Sequence, residues 1–204
     1  MKYVLLTLIF AILLAGCAAP LNTRTATNYY QAGNETLSQR NLPLAKEMFS
    51  RSLINARLGG MGPEAEADVL AKLGRVFGNM CQYDEAEKAF LESISLYTKA
   101  FGETSWRLFP ARLELAQFSY DVGRYEKAVV FYEQAFPSGI ATLERVDPSG
   151  YFFIMKDYAD ALLRTGKDEQ AKQTLSKAAG ADGKAGTGNL TKGSAYVRYP
   201  SKCS

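Results

Sequence analysis

Small and large apolar residues alternate with helical spacing along most of the chain, and the pattern repeats at nearly constant intervals. Each of four alanines is followed four residues later by a large apolar residue; the pairs are Ala45 and Phe49, Ala86 and Phe90, Ala128 and Tyr132, and Ala171 and Leu175. The alanines are 41, 42 and 43 residues apart. Because residues i and i+4 share one face of a helix, the pattern predicts four helices in which the alanine admits a close neighbour.

A second amphipathic helix is predicted before each of these four. A small residue stands twelve positions before each alanine, at Gly33, Gly74, Ala116 and Ala159. Gly123 and Gly166 fall between paired helices, where a left-handed residue ends one helix before the next begins. Asp147 followed by Pro148 is typical of a helix N-cap and the first residue of a helix. Pro110 is predicted to mark a helix start, and Pro137 a helix end or kink. The sequence therefore predicts an all-α chain of helix pairs.

These features resemble tetratricopeptide repeats. The resemblance implies a right-handed superhelical array of antiparallel helix pairs over residues 26–180, with units at 26–60, 63–102, 105–146 and 148–180. The usual period is about 34 residues, whereas a period near 42 is similar to the longer repeats of kinesin light chains, as is the segment Tyr97-Thr98-Lys99-Ala100-Phe101-Gly102. A generic helical bundle, the alternative, does not predict constant spacing.

The N-terminus is predicted to be a signal peptide that ends in a lipid-attachment site. Lys2 precedes an apolar run from Val4 to Leu14, which is too short to span a bilayer. Leu14-Ala15-Gly16-Cys17 resembles the lipobox of bacterial lipoproteins, which implies cleavage after Gly16 and acylation of Cys17. Residues 1–16 would then be removed and residues 17–25 would form a linker.

The resemblance to lipoproteins also implies a location in the cell envelope. Ala18 replaces the Asp that retains lipoproteins at the inner membrane in enterobacterial-type systems. We therefore expect the chain at the periplasmic face of an outer membrane, or at the outer face of the single membrane in a Gram-positive host. An ordinary signal peptide with an incidental cysteine would leave the position of Cys17 unexplained.

Composition excludes several classes of function. The 24 Lys and Arg residues against 21 Asp and Glu residues give a net charge of +3, or +2 without Lys2, and no basic run suggests nucleic-acid binding. Histidine is absent, which removes the commonest general base and the usual zinc ligand. No nucleophile elbow, phosphate-binding loop or metal-spaced cluster occurs. We expect no enzyme activity, no cofactor and no metal.

The tetratricopeptide resemblance implies a concave groove lined by the first helix of each pair. Its positions in this sequence are Tyr30, Asn34 and Ser38 in the first unit, Asp68, Arg75 and Asn79 in the second, Gln117, Tyr120 and Asp121 in the third, and Phe153, Lys156, Asp160 and Arg164 in the fourth. Tyrosine and arginine among polar neighbours suit an extended peptide or a partner helix. The alternative for each residue is a merely solvated helix face.

Two cysteines remain once Cys17 is acylated. Cys81 and Cys203 could form a disulfide in the oxidising periplasm, or Cys81 could be a small buried thiol and Cys203 a free end. The tail, residues 181–204, is rich in Gly, Lys, Ser and Thr and is predicted to be flexible. Its segment Ala195-Tyr196-Val197-Arg198-Tyr199 could pair as a strand or dock on the array.

The combined prediction is a lipid-anchored scaffold that holds a protein partner in its groove. By resemblance, lipoproteins with such repeats take part in assembly of secretins, pili or outer-membrane complexes, or in docking peptidoglycan hydrolases. A cell-wall enzyme is the first alternative, and it lacks histidine and any convergent acid pair. A self-associating structural lipoprotein is the second.

Overall fold

The computed structural model describes the backbone of residues 2–185 and 198–201, and the side chains of residues 19–180 and 198–201. Over these residues the chain forms eight helices and no strand: α1 (Lys2–Ser38), α2 (Leu42–Leu58), α3 (Pro63–Asn79), α4 (Tyr83–Phe101), α5 (Leu108–Asp121), α6 (Tyr125–Val146), α7 (Pro148–Arg164) and α8 (Asp168–Ala185). The prediction of an all-α array of helix pairs is confirmed.

Each unit is a helix pair, and in the first two units a small residue of the first helix faces an aromatic ring of the second. A Cβ atom added to Gly33 would lie 2.6 Å from the ring of Phe49, and one added to Gly74 would lie 2.7 Å from the ring of Phe90. Both rings are buried completely or almost so. The successive pairs stack through α2 on α3, α4 on α5 and α6 on α7, so the apolar core continues from unit to unit.

A buried hydrogen bond also repeats between the helices of the first two pairs. Ser52 Oγ donates to the carbonyl oxygen of Ala26 at 2.9 Å, and Ser93 Oγ donates to that of Ala67 at 2.8 Å. Both serines are buried, so each hydroxyl needs this partner. The hydrogen bond fixes the position of the second helix along the axis of the first.

One left-handed residue ends the turn within each pair. Gly123 and Gly166 have φ values of 78° and 75°, as predicted, and Arg40 and Cys81 occupy the equivalent positions with φ values of 59° and 61°. The first two units therefore accept a side chain where glycine is favoured. The presence of glycine in the sequence therefore predicts the turns of the third and fourth units but not those of the first two.

The predicted helix starts are confirmed, and of the two alternatives for Pro137, a helix end or a kink, the end is not observed. Asp147 accepts a hydrogen bond from the Gly150 amide at 2.8 Å and so caps α7. Pro110 lies in the first turn of α5. In contrast, α6 continues through Pro137 to Val146, so no helix ends at this proline.

The two ends of the array differ from the sequence pattern. Helix α1 runs without a break through residues 17–25, which we expected to form a linker, and α8 extends into the predicted tail as far as Ala185. Leu175 is 40% exposed, whereas its counterparts Phe49, Phe90 and Tyr132 are buried. Because α8 packs on α7 and no other helix of residues 2–185 covers it, Thr174 and Ala178 fill the buried positions instead. Among the described residues, no helix is both long and apolar enough to cross a membrane.

The contact between Gly74 and Phe90 gives a test of the packing. We expect Gly74→Ala to lower the free energy of unfolding by about 1–3 kcal/mol, since the new methyl group would force the buried ring to move. Gly180 is the matched control, because a Cβ atom there meets nothing within 4 Å. Gly180→Ala should be neutral or stabilising by up to about 1 kcal/mol. Urea unfolding measures both, and equal effects would contradict the proposed packing.

Candidate functional site: a groove that holds the C-terminal segment

Two cavities of different character lie along the first helices of the units, and we call the surface that contains them the groove. An apolar cavity of about 390 Å³ lies between α5 and α6, beside Arg75 of α3, and includes Trp106, Phe109, Leu113, Leu143 and Val146 in its wall. A more polar cavity of about 230 Å³ lies between α1, α3 and α5 and is lined by Tyr30, Asp68 and Lys72, among others. The Nε2 atom of Gln117, which lines the apolar cavity, is buried and has no hydrogen-bond partner in the described part of the chain.

The C-terminal segment Arg198–Ser201 lies in this groove. The side chain of Tyr199 inserts between α3, α4 and α5, and the residue is only 6% exposed. Its ring packs edge-on against Phe118 with a centroid distance of 5.3 Å and against Phe90 at 6.3 Å. Gly78 makes room for the ring, since a Cβ atom there would lie 2.7 Å from it. Tyr199 is therefore part of the core between the second and third units.

Polar contacts hold Tyr199 from two sides. Its hydroxyl donates to Glu114 Oε1 at 2.6 Å, and its amide donates to Asp121 Oδ2 at 2.8 Å. Arg75 donates to the same Glu114 oxygen at 2.7 Å, which links α3 and α5 beneath the ring. Burial, followed by the negative charge of Glu114, raises the pKa of the Tyr199 hydroxyl well above its ordinary value. The hydroxyl therefore remains a hydrogen-bond donor.

Arg198 binds two carboxylates on different units. Its guanidinium donates to Asp121 at the end of α5 and to Asp157 of α7, the latter at 3.0 Å. The two aspartate side chains are only 6% and 8% exposed. Burial raises the pKa of Asp157 to about 7, against the opposing effect of Arg198, and burial also raises the pKa of Asp121. The segment thus supplies the positive charge that two buried carboxylates require.

Several predicted groove residues contact one another rather than open solvent. Tyr120 donates to Asp160 at 2.9 Å and so joins α5 to α7, while Arg164 donates to the same Asp160 oxygen at 2.9 Å. Tyr97 of α4 donates to Asp68. The other predicted residues are the half-buried Tyr30, Asn34, Asn79 and Phe153, the buried Gln117, and the exposed Ser38 and Lys156.

The residues that hold the C-terminal segment were mostly missed by the sequence analysis. Asp121 was predicted, but Gly78, Glu114 and Asp157 were not, because nothing in the helical pattern shows that a distant segment returns to them. The expectation of no convergent acid pair is wrong, since Asp121 and Asp157 meet at one guanidinium. Of the two alternatives for the tail, docking is observed for residues 198–201 and no strand forms there. Ala195–Val197 lie outside the described residues.

The cysteines are only partly described. Cys81 is disulfide-bonded. It lies three residues after Gly78, at the left-handed turn beside the groove. Cys203 and the side chain of Cys17 lie outside the described residues, so the pairing of Cys81 with Cys203 stays a prediction. Among the described residues, no group of His, Cys, Asp and Glu could hold a metal ion.

Comparisons with known proteins agree with this architecture. Residues 67–106, which include most of α3 and all of α4, match the tetratricopeptide repeat family. The fold is similar to the crystal structure of BtubC (BKLC) from P. vanneervenii, with a TM-score of 0.69, 16% identity, and coverage of 88% of this chain and 68% of that one. It is also similar to a putative kinesin light chain with nearly identical TPR-like repeats from Podosopora anserina, with a TM-score of 0.60, 14% identity, and coverage of 87% and 88%.

These structural matches establish a TPR-like helical array as the fold. The curated proteins give no significant sequence match.

The burial of Tyr199 predicts that the C-terminal segment stabilises the array. Tyr199→Ala should lower the free energy of unfolding by about 3–5 kcal/mol, because it leaves a cavity between Gly78, Phe90 and Phe118. Tyr199→Phe keeps the ring and loses the hydrogen bond to Glu114, so its cost should be about 1 kcal/mol. Urea unfolding would measure both variants. A cost below about 1 kcal/mol for the alanine variant would show that the ring is not part of the core.

The raised pKa of Asp157 predicts a pH dependence of stability. A carboxyl that binds its proton more tightly in the folded state contributes most when protonated, so its contribution declines as pH rises from about 4 to about 7. The stability of the chain relative to its Asp157→Asn variant should therefore fall between pH 5 and pH 8. Urea unfolding at the two pH values checks this. A relative stability that rises with pH would mean that the ion pair with Arg198 outweighs burial.

Proposed function

We propose that this protein is a non-catalytic scaffold, anchored by lipid at Cys17 to the periplasmic face of the outer membrane, which holds a peptide of a protein partner in its concave groove. The observation that carries the proposal is the C-terminal segment itself. Residues 198–201 enter the groove with an aromatic side chain buried and a main-chain amide hydrogen-bonded. A groove that accepts these residues has the shape and the polar groups to accept an extended peptide.

The apolar cavity provides room for a partner beside this segment. Trp106 and Val146, in its wall, are 69% and 62% exposed, although both are large apolar residues. Exposed apolar residues grouped in a concave surface favour protein contacts. The partner would belong to an assembly of the cell envelope, such as a secretin, a pilus, an outer-membrane complex or a peptidoglycan hydrolase.

Anchoring is supported by the sequence of the lipobox and by its position ahead of the buried part of α1. Cys17 lies nine positions before Ala26, the first buried residue among the described side chains. One acyl chain binds reversibly, whereas two or more hold a protein stably at a membrane.

Photocrosslinking in living cells would test the groove. A photoreactive phenylalanine derivative at Trp106 or Lys156 should capture a specific partner, because both residues are exposed and lie on or beside the groove. Leu91 and Val130, which are exposed on second helices, are the matched controls. Capture of the same protein from the control positions, and none from Trp106 or Lys156, would refute the assignment.

Metabolic labelling with a palmitate analogue would test the anchor separately. The wild-type chain should take up the label, and Cys17→Ser should abolish it and release a folded protein into the soluble fraction. Ala18→Asp, which keeps the cysteine, should keep the label and move the protein to the inner membrane. Labelling that persists in the Cys17→Ser variant would contradict attachment at this residue.

A further inference from the structure

The contacts of the C-terminal segment define a binding site with a specific chemical preference. We call it the acidic slot and define it by Gly78, Phe90, Glu114, Phe118, Asp121 and Asp157. The two aspartates accept hydrogen bonds from a guanidinium, the two phenylalanines surround an aromatic ring, and Glu114 accepts from the phenol group at the end of that ring. Each part matches one group of an arginine followed by a tyrosine.

The acidic slot is unfavourable when empty. With the segment in place, Asp121 and Asp157 are almost fully buried, and because they come from two different units, removal of Arg198 would take away the cation that both share. Glu114 would keep its bond to Arg75 but lose the hydroxyl of Tyr199. Buried carboxylates that lose a charged partner strongly favour any ligand that restores it. A basic residue next to an aromatic one meets this requirement.

The chain delivers its own ligand through a short connection. Twelve residues, 186–197, separate the end of α8 from Arg198, and they include Gly186, Gly188 and Gly193. This length spans at most about 40 Å. A short connection of this kind raises the effective concentration of the attached segment to about the millimolar range. A competing peptide therefore meets a slot that is already occupied.

We infer that the acidic slot is the peptide-recognition site of the groove, that it selects a basic residue followed by an aromatic one, and that the C-terminal segment occupies it as an intramolecular competitor. The inference rests on the proposed function, because a partner peptide must enter the same groove. A partner with this dipeptide would displace the segment, and the array would remain closed to other peptides.

A defined peptide tests this directly. The probe is a fluorescent peptide of residues 195–204 with serine in place of Cys203, added to the full chain in detergent. In the Arg198→Ala/Tyr199→Ala double variant the segment loses the guanidinium and the ring that fill the slot, so the peptide should bind at least about tenfold more tightly than to the wild-type chain. Peptides with alanine at the arginine or at the tyrosine should each bind at least about tenfold more weakly than the probe.

Gly78→Ala, added to the double variant, tests whether the aromatic ring of the peptide binds beside Gly78. The added methyl group would lie 2.7 Å from the position of the bound ring, so peptide binding should be lost. With Tyr199 replaced, the nearest remaining atom to the methyl group is a ring carbon of Phe118 at 3.3 Å, and urea unfolding of the same variant separates loss of binding from loss of folding. Asp121→Asn in the double variant should weaken the arginine peptide more strongly than the alanine-for-arginine peptide, which keeps only the main-chain hydrogen bond to this residue.

A second experiment covers the case in which the double variant does not fold. A protease site is inserted between Gly188 and Gly193 of the otherwise wild-type chain, which folds with its segment in place and is then cut and reduced. The fluorescent peptide should exchange with the cut segment. A folded chain that binds the peptide in neither experiment overturns the inference, whereas crosslinking from Trp106 would still stand as the test of the scaffold function.

Discussion

The structure depends on the close approach of two helices at a small residue that faces a large buried ring. Gly33 against Phe49 and Gly74 against Phe90 show this contact, and Ala116 and Tyr132 belong to the same core cluster in the third unit. An isolated pair cannot cover the outer faces of its helices, so each unit needs the next. This need for a neighbouring unit explains why the pairs stack into an array with a groove along their first helices. It also explains why α8, which has a neighbour on one side, keeps an exposed surface.

The same requirement explains why the C-terminal segment can become part of the core. Where α3 and α5 face the groove, Gly78 leaves a space that no residue of the array fills, and Tyr199 fills it. The hydroxyl and the amide of this tyrosine are satisfied by Glu114 and Asp121, so its burial leaves neither group without a partner. One segment therefore serves both as packing between units and as an occupant of the surface that a partner would use.

The sequence predicted the parts of the fold that local periodicity controls. The alanine spacing located the four pairs, and Gly123, Gly166 and Asp147 correctly marked turns and a cap. The left-handed turns at Arg40 and Cys81 were not identified, because only glycine signals such a turn reliably. The contacts of Arg198 and Tyr199 with Asp157 and Glu114 are non-local, and they join residues 41 and 85 positions apart. No helical pattern contains that information.

The central claim is that Tyr199 is bound within the groove, and native-state hydrogen exchange of its amide tests this most directly. The amide donates to Asp121 beneath a buried ring. We predict that it exchanges as slowly as the helical amides of α5, and that Asp121→Asn or Gly78→Ala makes its exchange faster. Exchange at the rate of an unstructured peptide in the wild-type chain would contradict the account.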